Sequence, residues 1–425
     1  MEASAGAGKT TFISKRIINH IKRGADPAGF VFIAFSNEAA TELYRKIEKN
    51  IRREFGKITE EEKVRLDYAL HHLADMKIMT MVRFCYALMI EAGEDPGVAS
   101  EFEIFDAASM SLKHRELIKK TRRLLESNDE FLKHCREIYS YIYVDEFQDT
   151  DEDQAAIIFK LAGDDNGGIR DGALFILGDE KQSIYRAEGA DVNVFRRVRE
   201  YIRSLPGAQV MNVTGNYRTE VTILDWVNET FKDRFDNYIP MDGEWEVKDK
   251  NSFHGIKTVR KPKTCAEDCG GPNGFYDRDE DKKLFVKLLD RLLNSPDFYI
   301  EEKDGGLPRK IDVSDLLVIV SREESMEEYA DAARKAGADG IKILTTKRAK
   351  GLSGNITVIA DRSLTPEEYF GKEAPDPEDK KEWLRFGYVN ATRARHALIF
   401  MPEIAPGAMF SEESFKLDKQ DEIGL

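Results

Sequence analysis

A short glycine-rich segment near the start of the chain has the residue types needed to bind phosphate. Backbone N–H groups of such a turn, followed by a helix, point at anionic oxygens, and Gly6 and Gly8 permit the turn. Lys9 can neutralise the β- and γ-phosphates, and the Thr10 hydroxyl can bind Mg2+. The first glycine of the usual G-x4-G-K-[ST] pattern is Ala3. The segment predicts an ATP site formed by Ala5, Gly6, Ala7, Gly8, Lys9, Thr10 and Thr11.

A second segment carries two adjacent carboxylates after an apolar run. Tyr141–Val144 is followed by Asp145 and Glu146, more than 130 residues after Lys9. At the end of a strand, Asp145 can hold Mg2+ while Glu146 orients and deprotonates a water molecule. Acidic residues after a strand are also common helix caps. The phosphate loop upstream favours the catalytic interpretation.

Apolar runs of strand length alternate with helical patterns along most of the chain. In the first half we predict strands at 30–35, 138–144, 173–177 and 209–213, with helices at 38–51, 152–162 and 192–202. In the second half we predict helices at 220–235, 281–293, 323–336 and 381–395, with strands at 316–320, 341–344, 357–360 and 397–400. The polar stretch 242–274 is predicted to be a loop and the residues after Pro402 an unanchored tail. Such alternation predicts α/β lobes with mainly parallel sheets.

Composition narrows the class of protein further. The net charge of −14 means that any nucleic-acid contact must come from a local basic patch. Four cysteines favour a reducing, cytoplasmic location, and Cys265 and Cys269 alone do not make a metal site. No stretch approaches the roughly 20 apolar residues of a membrane span, so no membrane partner is expected.

The ordered motifs resemble those of the UvrD/RecB-type superfamily 1 DNA helicases, especially the AddA-like members. Seven segments match motifs I, Ia, II, III, IV, V and VI in order: 3–10, 35–40, 145–150, 178–186, 216–219, 349–352 and 388–394. The resemblance implies two tandem RecA-like P-loop NTPase lobes, residues 1–215 and 216–402, with ATP and Mg2+ bound between them. A short helical insertion near 86–137 and a tail, 403–425, complete this division.

The resemblance also implies roles for single residues. Glu146 would act as the base, Gln182 would sense the γ-phosphate, and Arg218 and Arg393 would stabilise its developing charge. Tyr217 would stack on adenine, and Gly351 would approach the nucleotide. Single-stranded DNA contacts are expected at Phe35, Arg83 and Tyr185.

Several positions depart from the family pattern. The aromatic residue and arginine that follow motif III are Ala187 and Glu188, which removes a stacking surface and adds a negative charge. A motif histidine is Val82, and the motif V glutamate is Ser353, which puts ribose recognition in doubt. The span between Arg218 and Lys350 is too short for a large accessory domain, and the tail is too short for a nuclease domain.

Two functions remain open. The first is an ATP-dependent helicase or translocase core acting on single-stranded DNA or DNA ends, alongside a partner nuclease or recombination subunit. The alternative is a nucleotide-gated regulatory ATPase that controls a partner nuclease without translocating; Ala187, Glu188 and Val82 favour it. A small-molecule kinase would leave motifs IV and VI unexplained.

The phosphate loop lies unusually close to Met1. A P-loop normally follows a strand of about 5–6 residues, and Met1–Glu2 is too short to form one. We therefore expect either that the natural chain extends upstream by about 15–30 residues, which would include this strand, or that the start at Met1 is misassigned.

Overall fold

Residues 1–56, 58–97, 112–259, 278–301, 303, 307–362, 364–402 and 422–423 are described by a computed structural model. Their contacts divide into two compact units. The first contains Met1–Ser4 and Gly8–Val213, and the second contains Ala5–Ala7 and the residues from Thr214 onward. None of the helices in these ranges is both long and apolar enough to cross a bilayer.

The first unit is built on a four-stranded parallel sheet of order β3-β2-β4-β5. The strands are β2 (Phe30–Ala34), β3 (Lys77–Thr80), β4 (Tyr141–Val144) and β5 (Leu174–Ile176). β2 is buried along its whole length, as expected of a strand covered on both faces. Because all four strands run in parallel, their carboxyl ends meet at one edge, where ligands bind in such sheets.

Glu2–Ala3 form a short strand, β1, contrary to our expectation that these residues could not contribute one. β1 pairs in parallel with β6 (Asn212–Val213), and Glu2 also bridges to Gly178 beyond β5. The strand predicted at 209–213 is correspondingly shorter.

Eight helices cover the first unit in its described parts. They are α1 (Lys9–Lys22), α2 (Asn37–Glu54), α3 (Glu60–His71), α4 (Met81–Glu91), α5 (Leu112–Ser127), α6 (Asp129–Ile138), α7 (Glu152–Ala162) and α8 (Val192–Ser204). Helix α5 and nearly all of α6 fall in the insertion predicted near 86–137, and α4 begins before it at Met81; residues 98–111 of the insertion are outside the described ranges. The strand predicted from Ile138 begins only at Tyr141, because α6 continues through Ile138.

The second unit contains a six-stranded parallel sheet of order β13-β12-β14-β15-β9-β16. Its strands are β9 (Gly255–Val259), β12 (Leu316–Val320), β13 (Lys342–Thr345), β14 (Gly354–Ile359), β15 (Ala394–Phe400) and β16 (Glu422–Ile423). The remaining short strands are β7 (Gly215–Asn216), β8 (Asp242–Gly243), β10 (Tyr299–Ile300) and β11 (Arg309–Lys310). The helices are α9 (Val221–Phe231), α10 (Arg278–Asn294), α11 (Glu323–Lys335), α12 (Thr346–Ala349), α13 (Pro366–Phe370) and α14 (Pro377–Ala391).

Two expectations about loops are wrong. The stretch predicted to be a loop contains β9, whose five residues pair with β15 and β16. β16 belongs to the predicted tail, where buried Ile423 packs against the core. Each strand is too short or too polar to stand out alone, and pairing within the sheet stabilises it. Cys265 and Cys269 lie outside the described residues.

Helix α14 begins and ends four residues earlier than predicted. Asp376 caps its first turn in a capping box with Asp379, and Pro377 occupies the first helical position. Because β15 begins at Ala394, Arg393 follows the helix instead of lying within it.

A pair of fully buried carboxylates lies where α10, α11 and the end of β14 meet. The Tyr329 hydroxyl donates to Asp281, and Ser321 Oγ donates to Asp361 Oδ2 at 3.1 Å. Arg278 Nη2 lies 3.3 Å from Asp361 Oδ1. Burial raises the pKa of Asp281 to about 7; the Tyr329 bond opposes this effect and the charge of Asp361 adds to it.

We predict that Asp281→Asn makes stability less dependent on pH. The pKa of Asp281 in the folded state is raised from 3.8 to about 7. Its contribution to the free energy of unfolding is therefore complete below about pH 4 and is lost as pH rises to about 7 and above. The loss is at most about 4 kcal/mol. In urea unfolding, the variant should therefore gain stability relative to wild type between pH 5 and pH 8. Asp279→Asn, an exposed residue of the same helix, is the control, and equal behaviour of the two variants would refute the buried charge.

Candidate nucleotide-binding site

The phosphate loop ends on a glycine that starts helix α1. Gly8 is the N-cap, with φ of 74°, and Gly6 has φ of 79°; both lie in the left-handed region that glycine adopts without strain. The first turn of α1 contains no acidic residue. The positive end of the helix dipole is therefore left available to an anion.

Asn216 holds the middle of this loop within the second unit, to which Ala5–Ala7 belong. Its Nδ2 donates to the Ala5 carbonyl at 2.7 Å, and its Oδ1 accepts from the Arg218 and Thr219 N–H groups, each at 2.9 Å. A Cβ atom at Gly6 would lie only 2.7 Å from the Asn216 amide. Gly6 is therefore required both by its backbone angle and by this close approach.

Lys9 forms an ion pair with the predicted base. Its Nζ lies 2.6 Å from Glu146 Oε1, and the two side chains are only 13% and 19% exposed. Burial acts to lower the pKa of Lys9, but the charges of Glu146, Asp145 and Asp179 outweigh burial and raise the pKa above its ordinary value. Lys9 is therefore a buried ammonium group that stays charged at the carboxyl end of the sheet.

Glu146 occupies a backbone conformation that non-glycine residues rarely adopt, with φ of 49°. The residues on both sides of it are tied to the sheet: Asp145 N–H donates to Ile33 O at 3.0 Å, and Phe147 N–H donates to Leu177 O at 2.9 Å. Such strain is maintained only where surrounding contacts enforce it, and it is common at functional sites.

The magnesium ligands predicted from the sequence fit the chemistry of that ion only in part. Asp145 and Thr10 offer oxygen donors, which Mg2+ prefers. Among the described residues, no group of three or more His, Cys, Asp or Glu side chains could hold a metal by itself. Mg2+ usually takes one or two protein ligands and completes its shell with substrate phosphates and water.

Gln182 lies in a buried hydrogen-bond network that also includes Gln148, a residue the sequence analysis missed. Gln182 Nε2 donates to Asp179 Oδ2 at 2.8 Å, and Gln148 Nε2 donates to Glu146 Oε2 at 2.5 Å. Gln148 was overlooked because residue type alone does not distinguish a buried amide from one at the surface. Its position in the motif II segment 145–150, two residues after Glu146, was the available signal.

The three predicted DNA-contacting residues line one cavity of about 110 Å3 at the carboxyl ends of β2, β3 and β4. The rings of Phe35 and Tyr185 pack together with centroids 4.9 Å apart, and Tyr185 is buried. Arg83 is exposed and donates to Asn37 Oδ1 at 3.3 Å. Asp145 and Glu146 line the same cavity. Phe35, Arg83 and Tyr185 are therefore neighbours of the carboxylate pair, and the two rings cover one another.

The predicted residues of the second unit differ in their exposure. Tyr217 is 55% exposed, and Gly351 has φ of 86° with nothing near its Cβ position. Arg218 Nη2 donates to Thr392 O at 2.7 Å. Ser353 Oγ accepts from Arg395.

Arg393 is only 1% exposed, and its guanidinium donates inside its own unit. Its partners are Val389 O at 2.8 Å, Leu352 O at 3.3 Å and Thr392 Oγ1 at 3.0 Å. Here Arg393 joins the end of α14 to the motif V segment. Its catalytic role stays a prediction.

Part of the chain is similar to known proteins. Residues 1–115 and 107–202 match the UvrD/REP helicase N-terminal domain. DNA helicase II of Salmonella typhimurium is 37% identical over 113 residues, which are 27% of this chain and 14% of that protein. PcrA, the ATP-dependent DNA helicase of Bacillus subtilis, is 34% identical over 124 residues, 29% of this chain and 16% of PcrA. The RecBCD enzyme subunit RecB of Chlamydia muridarum is 33% identical over 124 residues, 29% of this chain and 11% of RecB.

The fold and these matches define a class for the chain and a group of proteins that part of it resembles. The class is that of α/β proteins with mainly parallel sheets and a helicase N-terminal domain. Within it, the first 202 residues of the chain are similar to UvrD, PcrA and RecB helicase proteins. The matched segments span less than a fifth of each relative's own length.

We predict that Arg393→Met destabilises the second unit. The substitution removes three buried hydrogen bonds from a charged donor, and we expect a loss of about 2–3 kcal/mol of unfolding free energy. Urea unfolding would measure it, with exposed Arg395→Met as the control, for which about 0.5 kcal/mol or less is expected. Unchanged stability together with a lower ATP turnover would contradict the structural role and support the catalytic one.

Proposed function

We propose that the chain is the ATP-hydrolysing motor core of a UvrD/RecB-type DNA helicase or translocase, acting on single-stranded DNA or DNA ends. The observation that carries the proposal is the buried Lys9–Glu146 pair, with Asp145 and Asp179 beside it, at the start of a helix that follows a glycine-rich loop. The helicase matches cover this same part of the chain.

The chain's own residues can divide the work of hydrolysis. Backbone N–H groups of the loop and the Lys9 ammonium bind the phosphate oxygens. When Lys9 turns to the phosphates, Glu146 Oε1 is released to accept a proton from the attacking water. The water oxygen then bonds to the γ-phosphorus as the bond to the leaving ADP oxygen breaks. Mg2+, held by Asp145 and Thr10, would neutralise charge on the phosphates.

Substrate engagement is proposed at the cavity that contains Phe35, Arg83 and Tyr185. An aromatic pair offers a stacking surface to bases, and Arg83 offers a charge to a phosphate. The cavity shares Asp145 and Glu146 with the hydrolytic site, which supports coupling of DNA binding to ATP turnover. The roles of Tyr217, Arg218, Gly351 and Arg393 toward ATP are carried from the resemblance and belong to this proposal.

The first test is the steady-state ATPase rate with and without single-stranded DNA. We expect several-fold stimulation by single strands or by duplex ends, and a smaller effect of closed circular duplex or of RNA. A measurable rate that is indifferent to every nucleic acid would favour the alternative, a regulatory ATPase that acts on a partner nuclease. Absence of ATP hydrolysis under all conditions would contradict both.

We predict that Glu146→Gln binds ATP but does not turn it over. The amide keeps the size of the side chain and cannot accept the proton, so the rate should fall by about 10²–10⁴-fold. Binding of a fluorescent ATP analogue should remain, since Lys9 and the loop are intact. Glu137→Gln, an exposed position, controls for loss of one charge. Normal turnover in the Glu146 variant would remove the assigned base.

We further predict that Ala187→Trp with Glu188→Arg tightens binding of single-stranded DNA. Ala187 is exposed and Glu188 lines the cavity. Adding a stacking ring and reversing one charge should increase affinity at least five-fold, given about 1–3 kcal/mol for each stacked base. Fluorescence anisotropy at two salt concentrations measures the change. The control is Glu200→Arg, an exposed position on α8 whose substitution changes the net charge by the same amount. If affinity rises no more than in this control, single-stranded DNA binds at a different surface.

A further inference from the structure

Gln148 is a completely buried amide whose two ends are both engaged. It lies in the turn Phe147–Asp149 that follows β4 and is 0% exposed. Its Oε1 accepts from the backbone N–H of Asp179 at 2.8 Å, and its Nε2 donates to Glu146 Oε2 at 2.5 Å. Because a backbone N–H can only donate, the oxygen of the amide must face Asp179. The NH2 group must then face Glu146.

The segment beyond β5 is built to receive this side chain. A Cβ atom at Gly178 would lie 2.9 Å from Gln148 Oε1 and 2.7 Å from a ring carbon of Phe195. Glycine is therefore required at 178 for the close approach. The Ser183 hydroxyl also donates to the Gln148 carbonyl at 3.1 Å, which fixes the backbone of the turn.

Asp179 extends the network toward the predicted phosphate sensor. It is 3% exposed. Its Oδ2 accepts from Gln182 Nε2 at 2.8 Å and its Oδ1 from Lys181 Nζ at 2.7 Å. A continuous series of contacts therefore runs from Lys9 through Glu146, Gln148 and Asp179 to Gln182.

We propose that Gln148 is the positioning residue that aims the base Glu146 and links its orientation to the segment bearing Gln182; this inference rests on the proposed ATPase function. Donation to Oε2 leaves Oε1 as the atom that accepts the water proton. A displacement of Asp179 caused by a ligand at Gln182 would reach Glu146 through the Gln148 side chain. Gln148 itself does not touch the reacting atoms.

A buried amide with two partners also stabilises the fold, so the test needs a readout that stability alone would not move. Gln148→Glu provides it. The new carboxyl group can still accept from Asp179, but when ionised it repels Glu146 and has no proton to donate. When protonated it donates as the amide does. In this variant, repulsion between the Glu146 carboxylate and the new carboxylate at position 148 raises the pKa of the pair. As pH falls, the pair takes up a proton and a hydrogen-bond donor is restored at position 148.

We expect the kcat of Gln148→Glu to be reduced at least ten-fold at pH 8 and to recover progressively toward pH 6, with little change in KM for ATP. Gln148→Met, which is similar in size but cannot donate, should be reduced without recovery. Rates are expressed per nucleotide-binding site, titrated with a fluorescent ADP analogue, so that unfolded protein does not contribute. Gln209→Glu, exposed and outside the network, should keep the wild-type profile.

A kcat profile for Gln148→Glu parallel to that of wild type would overturn the inference. If that variant does not fold, Gly178→Ala tests the same contact from the opposite side, since it must push on Gln148 Oε1. Its kcat per binding site should fall at least ten-fold, and an unchanged kcat would also overturn the inference. Failure of the proposed function has a different signature, in which wild type does not hydrolyse ATP or Glu146→Gln is as active as wild type.

Discussion

A lysine ammonium held among carboxylates at the edge of a parallel sheet is the interaction on which the first unit's site depends. Lys9 is largely withdrawn from water, which on its own disfavours the charged form. Glu146, Asp145 and Asp179 restore that charge, and they come from the ends of two neighbouring strands, β4 and β5. A sheet of another order would separate these groups and leave a buried cation without compensation.

The same geometry brings the residues proposed for DNA binding and those proposed for ATP hydrolysis to one place. Parallel strands bring Phe35, Asp145 and the segment after β5 to one edge, although they are far apart in the chain. The aromatic pair and the carboxylate pair line a single cavity as a result. A ligand that separates Phe35 from Tyr185 would therefore act next to Asp145 and Glu146, the carboxylates proposed for hydrolysis. Under this proposal, binding of single-stranded DNA and hydrolysis of ATP are coupled through direct neighbours that line the same cavity.

The second unit uses buried charge in a different way. Arg393 and Asp281 are almost inaccessible to water, and each makes hydrogen bonds inside the unit. Arg393 joins the end of α14 to the motif V segment, and Asp281 joins α10 to α11. Such groups are costly to bury, and their hydrogen bonds offset the cost only while the surrounding geometry is kept. Arg393, a residue of the motif VI segment, therefore stabilises this unit, in addition to any role it has toward a nucleotide.

The local sequence was sufficient for the elements whose signal lies in adjacent residues. β12 and α7 were predicted with their observed bounds, since one is an uninterrupted apolar run and the other has clear periodicity behind a capping aspartate. The parallel α/β architecture followed from the alternation of such elements. β9 and β16 could not be predicted, because their stability comes from partners far away in sequence.

By itself, the sequence determined which chemical groups are available near the phosphate loop: a glycine-rich turn, a lysine, and two carboxylates after a strand. Residue type and spacing suffice there because the phosphate loop acts mainly through backbone groups and one adjacent side chain. Only the tertiary structure decided that Gln148 faces Glu146 and Asp179, that Tyr185 is covered by Phe35, and that Arg393 is turned inward. Those outcomes depend on which strands are neighbours and on the few ångströms between their ends, and neither is written in local sequence.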